Sequence, residues 1–364
     1  MTSYFDTLGT IVQLELRQRI RSVAWLVLVI VVFALVGIVT ALLWFSITAF
    51  GGDISDSAGV YSTIIFFVLL VGTLVTPAIS GAAINGDRDA GTLATTQVTL
   101  ASANQIVLGK FLAAWTVALT FLVASLPALL FTLIAGGVPG DTLAASLGVL
   151  VLELGVVAAV GVGLSGLITR PLFSVVTTYL VVAALSIGTL IAFTLGGLAF
   201  QSQQTQTYIG IDYSVGGEFD PVTGYPENIV CLDPEVTTYT TPRFDYVWGI
   251  LAANPYIVLA DAAPTSFDSN GFPQDLFGSI ALGVRSAQLS PDLTSVIDEC
   301  AAALAGDTSG AYPYETPREI FDRTVPSWFV GLLIHLVLAA AALAGAIART
   351  RTPAGALPTG SRVA

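Results

Sequence analysis

Six stretches of the chain run for 23 to 29 residues almost without charge: Trp25–Phe50, Val60–Ile84, Phe111–Ala135, Leu143–Ile168, Leu172–Phe200 and Pro326–Ala348. A helix of about 20 apolar residues crosses a hydrocarbon core of about 30 Å. Backbone groups in lipid must find partners within their own segment, so each stretch predicts a helix rather than an open strand. Five spans follow one another closely and the sixth stands apart. Pro77 and Pro127 fall inside the second and third spans, where each removes a backbone donor and is expected to kink its helix. The fourth span carries Gly155, Ala159 and Gly163 at four-residue steps, a spacing that lets helices approach closely.

The polar intervals have patterns of their own. In Tyr4–Arg21, Phe5, Leu8, Ile11, Val12 and Leu16 fall near one stripe, while Asp6, Gln13, Arg17 and Arg21 fall away from it. Residues 1–22 therefore predict an amphipathic helix lying in a membrane interface. The interval 201–325 is rich in Pro, Gly, Thr and Tyr. Its first part, Tyr208–Pro242, predicts loops with short strands. Gln274–Gln288 predicts a helix, and a second is expected with Ser290 as N-cap, Pro291 at its first position and its end near Leu304. Phe244–Pro264 is apolar but interrupted at Asn254-Pro255, too short and broken to cross a membrane. Its core, residues 246–263, either dips into the membrane as a re-entrant hairpin or packs as core of the 201–325 domain. Residues 349–364 form a polar tail. The expected architecture is an all-α polytopic membrane protein: six transmembrane helices (residues 23–200 and 326–348), an N-terminal interfacial helix, and a mixed extracytoplasmic domain between helices five and six.

Composition agrees with this pattern. Charged residues make up 10% of the 364, and 54% are hydrophobic; a soluble domain carries about 25% charged residues. Arg17, Arg19 and Arg21 precede a first apolar run far longer than a signal core, so that span is expected to remain as an anchor. Cations also set orientation. With both termini inside, nine of the thirteen lie in inner segments; the other four, Arg243, Arg285, Arg318 and Arg323, lie in the long loop. That loop carries 17 acidic and 4 basic residues. The acidity thus belongs to the outer domain, where it favours solubility and disfavours nucleic acid as a partner. Cys231 and Cys300 both fall there. A pair in an oxidising compartment points to a disulfide, the alternative being two buried thiols. A prokaryotic cytoplasmic membrane, with the large loop outside, is the expected location.

Candidate chemistry is sparse. Asn104–Phe111, "NQIVLGKF", superficially looks like a phosphate-binding loop. Asn104 stands where the first glycine belongs, however, and Phe111 where Ser or Thr would hold magnesium. One histidine and one lysine offer neither a catalytic triad nor a metal cluster. Glu153 lies ten residues into the fourth span and His335 nine into the last. Ionisable groups at such depth are functional candidates by default. Both sit about 14–15 Å from the same face at about 1.5 Å per residue, so they are expected to meet. They would either line a translocation path or tie the fourth and last spans together.

The interval after the second span holds Asp87, Arg88, Asp89, Gly91, Thr92, Leu93 and the only lysine, Lys110. "GDRDAGTLATTQVTLASANQIVLGKFLAA", Gly86–Ala114, resembles the inner loop of the permeases of type-2 ATP-binding-cassette transporters: an acidic turn, Gly-Thr-Leu, a short coupling helix, then Leu-Gly-Lys opening the third span. Asp87 and Asp89 stand where glutamates are common in that family. The resemblance extends to the amphipathic N-terminal helix, the six spans and "NPYIVLADA" before the last span. It implies a coupling loop over residues 85–110 that grips a separate cytosolic ATPase, which would bind ATP and Mg, while this chain is no enzyme and binds no cofactor. It also implies a second permease chain, identical or not, and export of a hydrophobic or amphipathic substrate among membrane lipids. Two other readings stand beside it. One is a secondary transporter relaying protons through Glu153 and His335; the other is a membrane-anchored receptor or assembly protein whose outer domain binds a ligand.

Overall fold

A computed structural model of the chain describes residues 4–49, 57–91, 101–135, 138–215, 217–221, 223–306 and 315–350. The chain is mostly helical, and six of its helices are long and apolar enough to cross a membrane. Helix α1 (Tyr4–Ile20) precedes them. The first span is α2 (Val23–Ala49) and the second is α3 (Ser57–Ser80), followed by the short α4 (Asn85–Asp89). The third is α5 (Ala103–Ala135) and the fourth α6 (Gly140–Leu167). The fifth is built from α7 (Pro171–Ala183), a π-helical turn at Ala184–Gly188, and α8 (Thr189–Ala199).

Two local features have clear causes. The third span starts before its apolar run, because Ala103–Lys110 and the run form one helix of 33 residues. Gln105 N donates to Ser102 Oγ, and Gln105 Oε1 accepts from Ser102 N, a capping box that starts the helix well before the apolar run. Pro77 lies inside α3, which ends one turn later, where Gly81 N still reaches Pro77 O. The expected helix over Thr95–Leu100 lies outside the described residues.

Helix α6 is the centre of the bundle. It packs against α3, α5 and the last span, α13 (Trp328–Thr350). Its small residues explain why. A Cβ on Gly163 would lie 2.5 Å from Ala342 Cβ, and one on Gly161 would lie 1.9 Å from Ser80 Oγ. Gly155 faces the Trp115 ring, and Ala159 is buried. Leu150 and Leu154 then meet Ile64, Ile65, Leu69 and Phe121 in the main apolar core.

The fifth span runs straight into a three-stranded sheet. Strand β1 (Gln201–Ile209) pairs antiparallel with β2 (Glu235–Pro242) and parallel with β3 (Thr294–Asp298). Here one expectation fails. Ser290 and Pro291 do not start a helix: both lie in coil, and residues 294–298 form β3. The run Thr294, Ser295, Val296, Ile297 is rich in β-branched residues, which suit a strand with a partner to pair with. The helix that follows, α11 (Glu299–Leu304), is capped by Asp298, whose side chain accepts from Ala301 N. Cys231 and Cys300 form a disulfide, with Cα atoms 5.5 Å apart.

Phe244–Pro264 folds as two 3₁₀ turns (Phe244–Tyr246 and Trp248–Ala253) and helix α9 (Pro255–Ala262). It lies against α6, α8, α13 and the amphipathic helix α10 (Leu276–Ser286). The contacts describe a hairpin packed against the long apolar helices. Asn254 makes the break. Its side chain caps α9 by accepting from Tyr256 N, and its amide donates to Ser186 O at 2.6 Å and Thr189 Oγ1 at 2.9 Å. Helix α12 (Pro317–Arg323), opened by a capping box at Thr316, leads back towards the last span. At that junction Asp261 is buried. It accepts from Arg285 Nε at 2.8 Å, Ser327 Oγ at 3.0 Å and Trp328 N at 3.1 Å, binding α9, α10 and the start of α13 together.

Candidate functional site

Three features stand out along the bundle, one at the α1 end, one in the middle and one on its flank. At the α1 end, the Lys110 ammonium lies 2.5 Å from Glu15 Oε1 and 2.5 Å from Asp87 Oδ2. Arg19 approaches the other Glu15 oxygen at 3.9 Å and donates to Ile79 O. Burial lowers the Arg19 pKa from its usual value, while Glu15 and Asp87 push it back up. The packing that permits this is local. A Cβ on Gly109 would lie 2.6 Å from Ile11, so glycine lets α1 settle directly on α5. Asn85 is fully buried and roots the loop on the end of α6: Ile84 N and Asn85 N donate to Ser165 Oγ, and the Asn85 amide donates to Ile168 O.

This arrangement divides the loop residues singled out by the sequence. Lys110, expected as part of a surface grip, is only 4% exposed and faces inward. Asp87 is held by Lys110, and Arg88 is half-buried. Asp89 and Gly91 are exposed, and Gly91 turns the chain with a positive φ of 70°. Thr92 and Leu93 lie outside the described residues. Sequence reasoning missed Glu15, Asn85 and Ser165. Glu15 could have been found as a carboxylate one helical turn before Arg19, since residues four apart face each other. Nothing in the sequence marks Asn85 or Ser165.

In the middle of the bundle, His335 Nδ1 lies 2.8 Å from Glu153 Oε1, and His335 Nε2 lies 2.9 Å from Ala253 O. A carbonyl oxygen only accepts, so Nε2 carries a proton. The Nδ1–Oε1 contact then holds one more proton in either of two arrangements. It belongs to an imidazolium beside a carboxylate, or to a carboxylic acid donating to a neutral ring. Both arrangements are neutral overall, which suits a site where both side chains are 1% exposed. Gly331, one turn before His335, admits the hairpin: a Cβ there would lie 1.9 Å from Ala252 O. The pair therefore joins α6, α13 and the hairpin.

On the flank, a cavity of about 720 Å³ opens between α3 and the fifth span. Leu70, Leu74, Ile187, Leu190 and Phe193 line its sides, and Ile257 and Ile280 close it. Most of its polar side chains have hydrogen-bond partners. Thr73 Oγ1 and the Tyr256 hydroxyl are 3.1 Å apart, Tyr179 donates to Leu74 O, and Asn254 holds Ser186 O. What remains is a hydrocarbon surface. The volume falls within the range of about 300–1,000 Å³ found for small-molecule sites. The π-helical turn shares this wall, and such turns often mark functional sites.

Among the described residues, no group of three or more His, Cys, Asp or Glu could hold a metal ion. The chain matches no family model and no curated protein.

Proposed function

We propose that this chain is the permease subunit of an ATP-driven exporter, gripped by a separate cytosolic ATPase through the loop between the second and third spans. The observation that carries the reading is the build of that loop. Gly86–Ala114 resembles the inner loop of type-2 ATP-binding-cassette permeases. Its root is fixed by Asn85 on Ser165 and by Lys110 between Glu15 and Asp87, while Asp89 to Gly91 stay exposed. A segment that transmits work must be stiff at its base and accessible at its tip. It must also join elements with two discrete arrangements. Helix α5 runs without interruption from Ala103 through the whole third span, so displacement of the loop would be carried into the bundle.

In this reading the loop faces the cytoplasm, the sheet lies outside, and a second permease chain completes the transporter. The flank cavity favours a hydrophobic or amphipathic substrate, because its lining offers hydrocarbon and few free polar atoms. The chain itself supplies no nucleotide site; ATP and Mg belong to the partner.

The test is co-purification with a candidate cytosolic ATPase, sought as a phosphate-binding-loop protein encoded next to this chain. Asp89→Arg reverses an exposed charge of the loop and is expected to reduce recovery of the ATPase at least about tenfold, the effect of about 1.4 kcal/mol. Equal recovery with and without the substitution would remove the loop from the interface. A proton-coupled carrier, the second reading, draws on the proton held between Glu153 and His335. Cargo movement driven by a pH gradient with no ATPase present would favour it.

A further inference from the structure

Helix α1 has two faces that do different work. One is packed on α5 through Ile11, against Gly109, and Glu15, against Lys110. The other carries Phe5, Leu8, Val12, Leu16 and Ile20 at steps of three and four residues. Together with Leu112 of α5 these wall an open groove of about 660 Å³. The fifteen steps from Phe5 to Ile20, at about 1.5 Å each, make it about 22 Å long. Phe5 is 77% exposed and Ile20 63% exposed, so none of the described residues covers the ends. Arg17 lines the rim and Arg21 follows one turn later. Arg19 turns the opposite way, to Glu15. No ion pair among the described residues engages Arg17 or Arg21.

We propose that this groove binds an anionic phospholipid, with an acyl chain along Leu8, Val12 and Leu16 and the phosphate at Arg17 and Arg21. Three observations converge on that occupant. The groove wall is hydrocarbon, which a soluble phosphate would leave bare. The rim is cationic, which a neutral lipid would leave unpaired. The place is also right: Leu112 lies two residues past Lys110, where α5 leaves its polar start and enters its apolar run. That is the level at which headgroups meet hydrocarbon. Helices with an apolar face and a cationic rim lie at that boundary, and their cations draw anionic lipid. The inference rests on the six helices crossing a bilayer. It does not rest on an ATPase partner, so loss of one reading leaves the other standing.

The test uses the purified full-length chain in detergent, titrated with phosphatidylglycerol or with phosphatidylcholine of the same acyl chains. Bound lipids are counted by native mass spectrometry. Phosphatidylglycerol is expected to bind about tenfold or more tightly. Arg17→Gln with Arg21→Gln is expected to bring it down to the phosphatidylcholine level. Arg170→Gln, on another loop, should leave it unchanged. Leu112→Trp fills the groove and is expected to expel the lipid with both arginines intact. Glycerophosphoglycerol and inorganic phosphate, which lack chains, should not compete. Each variant is compared at equal thermal stability. The proposal is overturned if the wild type binds both lipids equally, if the double arginine variant or Leu112→Trp retains phosphatidylglycerol, or if phosphate alone displaces it.

Discussion

Two of the places where the molecule buries a basic side chain against carboxylates are solved differently. Around Lys110 the ammonium meets two carboxylates, and exposure rises outward from 4% at Lys110 through 18% at Glu15 to 37% at Asp87. Solvent reaches the rim of this cluster, so an imbalance of charge is tolerable there. Around His335 both partners are 1% exposed, and every ring nitrogen has a fixed partner. Water cannot help, so the unit must be neutral as a whole. The wet cluster is suited to holding a loop to a helix. The dry pair is suited to fixing where three elements meet in the bundle.

Removing half of the dry pair should have the larger effect. Glu153→Ala leaves His335 with an unpaired buried Nδ1, and loss of one partner of a buried pair costs about 3–5 kcal/mol. Glu153→Gln should cost far less. Neutral His335 keeps its Nε2–H on Ala253 O, and the glutamine amide can donate to Nδ1. Unfolding of the purified chain in detergent, followed for the alanine, the glutamine and the double Glu153→Ala, His335→Ala variants, gives the coupling directly. A coupling of about 1–3 kcal/mol is expected for groups in contact. Additive losses would mean that the two side chains act independently and that the dry pair is not a coupled unit.

Lys110→Met should come next. It leaves Glu15 and Asp87 facing each other, but with solvent at the rim the cost is expected to be about 1–3 kcal/mol, between the buried and exposed limits. The loss should be local. Hydrogen exchange should rise in α1 and α4 while α6 and α13 stay protected. Salt separates the two sites further. At about 1 M ionic strength the screening length falls to about 3 Å, so the wild-type cluster should loosen and the dry pair should not respond. A Lys110→Met effect as large as that of Glu153→Ala, or one insensitive to salt, would erase the difference between the two environments.

The sequence revealed these sites unevenly, and the reasons are physical. Long apolar runs mark all six spans, because lipid-length helices need uninterrupted hydrocarbon and little else produces it. Glu153 and His335 were also visible, since charge inside such runs is rare and helical rise fixes depth. The Asn254-Pro255 break was visible as a break, but its partners on the fifth span were not. They depend on a π-helical turn for which Ala184–Gly188 gives no compositional signal. Ser290-Pro291 misled because a local helix-start pattern competed with a β-branched run that had a strand, Thr205–Ile209, waiting for it. The role of Lys110 misled for a different reason. A lysine in a polar interval reads as surface, and only the folding of α1 back onto Gly109 takes it inside.

The smallest expected effect comes from another pair, where the fifth span meets the sheet. Arg243 grips Asp245 with two bonds, Nε to Oδ1 at 2.8 Å and Nη2 to Oδ2 at 2.6 Å, and also donates to Ser202 Oγ. The hydrogen bonds from Arg243, ahead of the opposing effect of burial, hold the Asp245 carboxyl below its usual range. A depressed folded-state value means the contribution is present above the unfolded carboxylate pKa, about 3.9. It is lost as pH falls through the folded value. The junction should thus be indifferent to pH between about 5 and 7 and loosen only below about 4. Asp275 works in the opposite sense: burial raises its pKa, against the pull of the Gly278 N–H, so acid favours its neutral folded form. A global melting curve would blend the two. The measurement is therefore local: fluorescence of Trp248, in the 3₁₀ turn two residues after Tyr246, followed through acid titration with and without Asp245→Asn. The substitution should flatten the acid response. An unchanged titration would show that the pair contributes nothing to the stability of the junction.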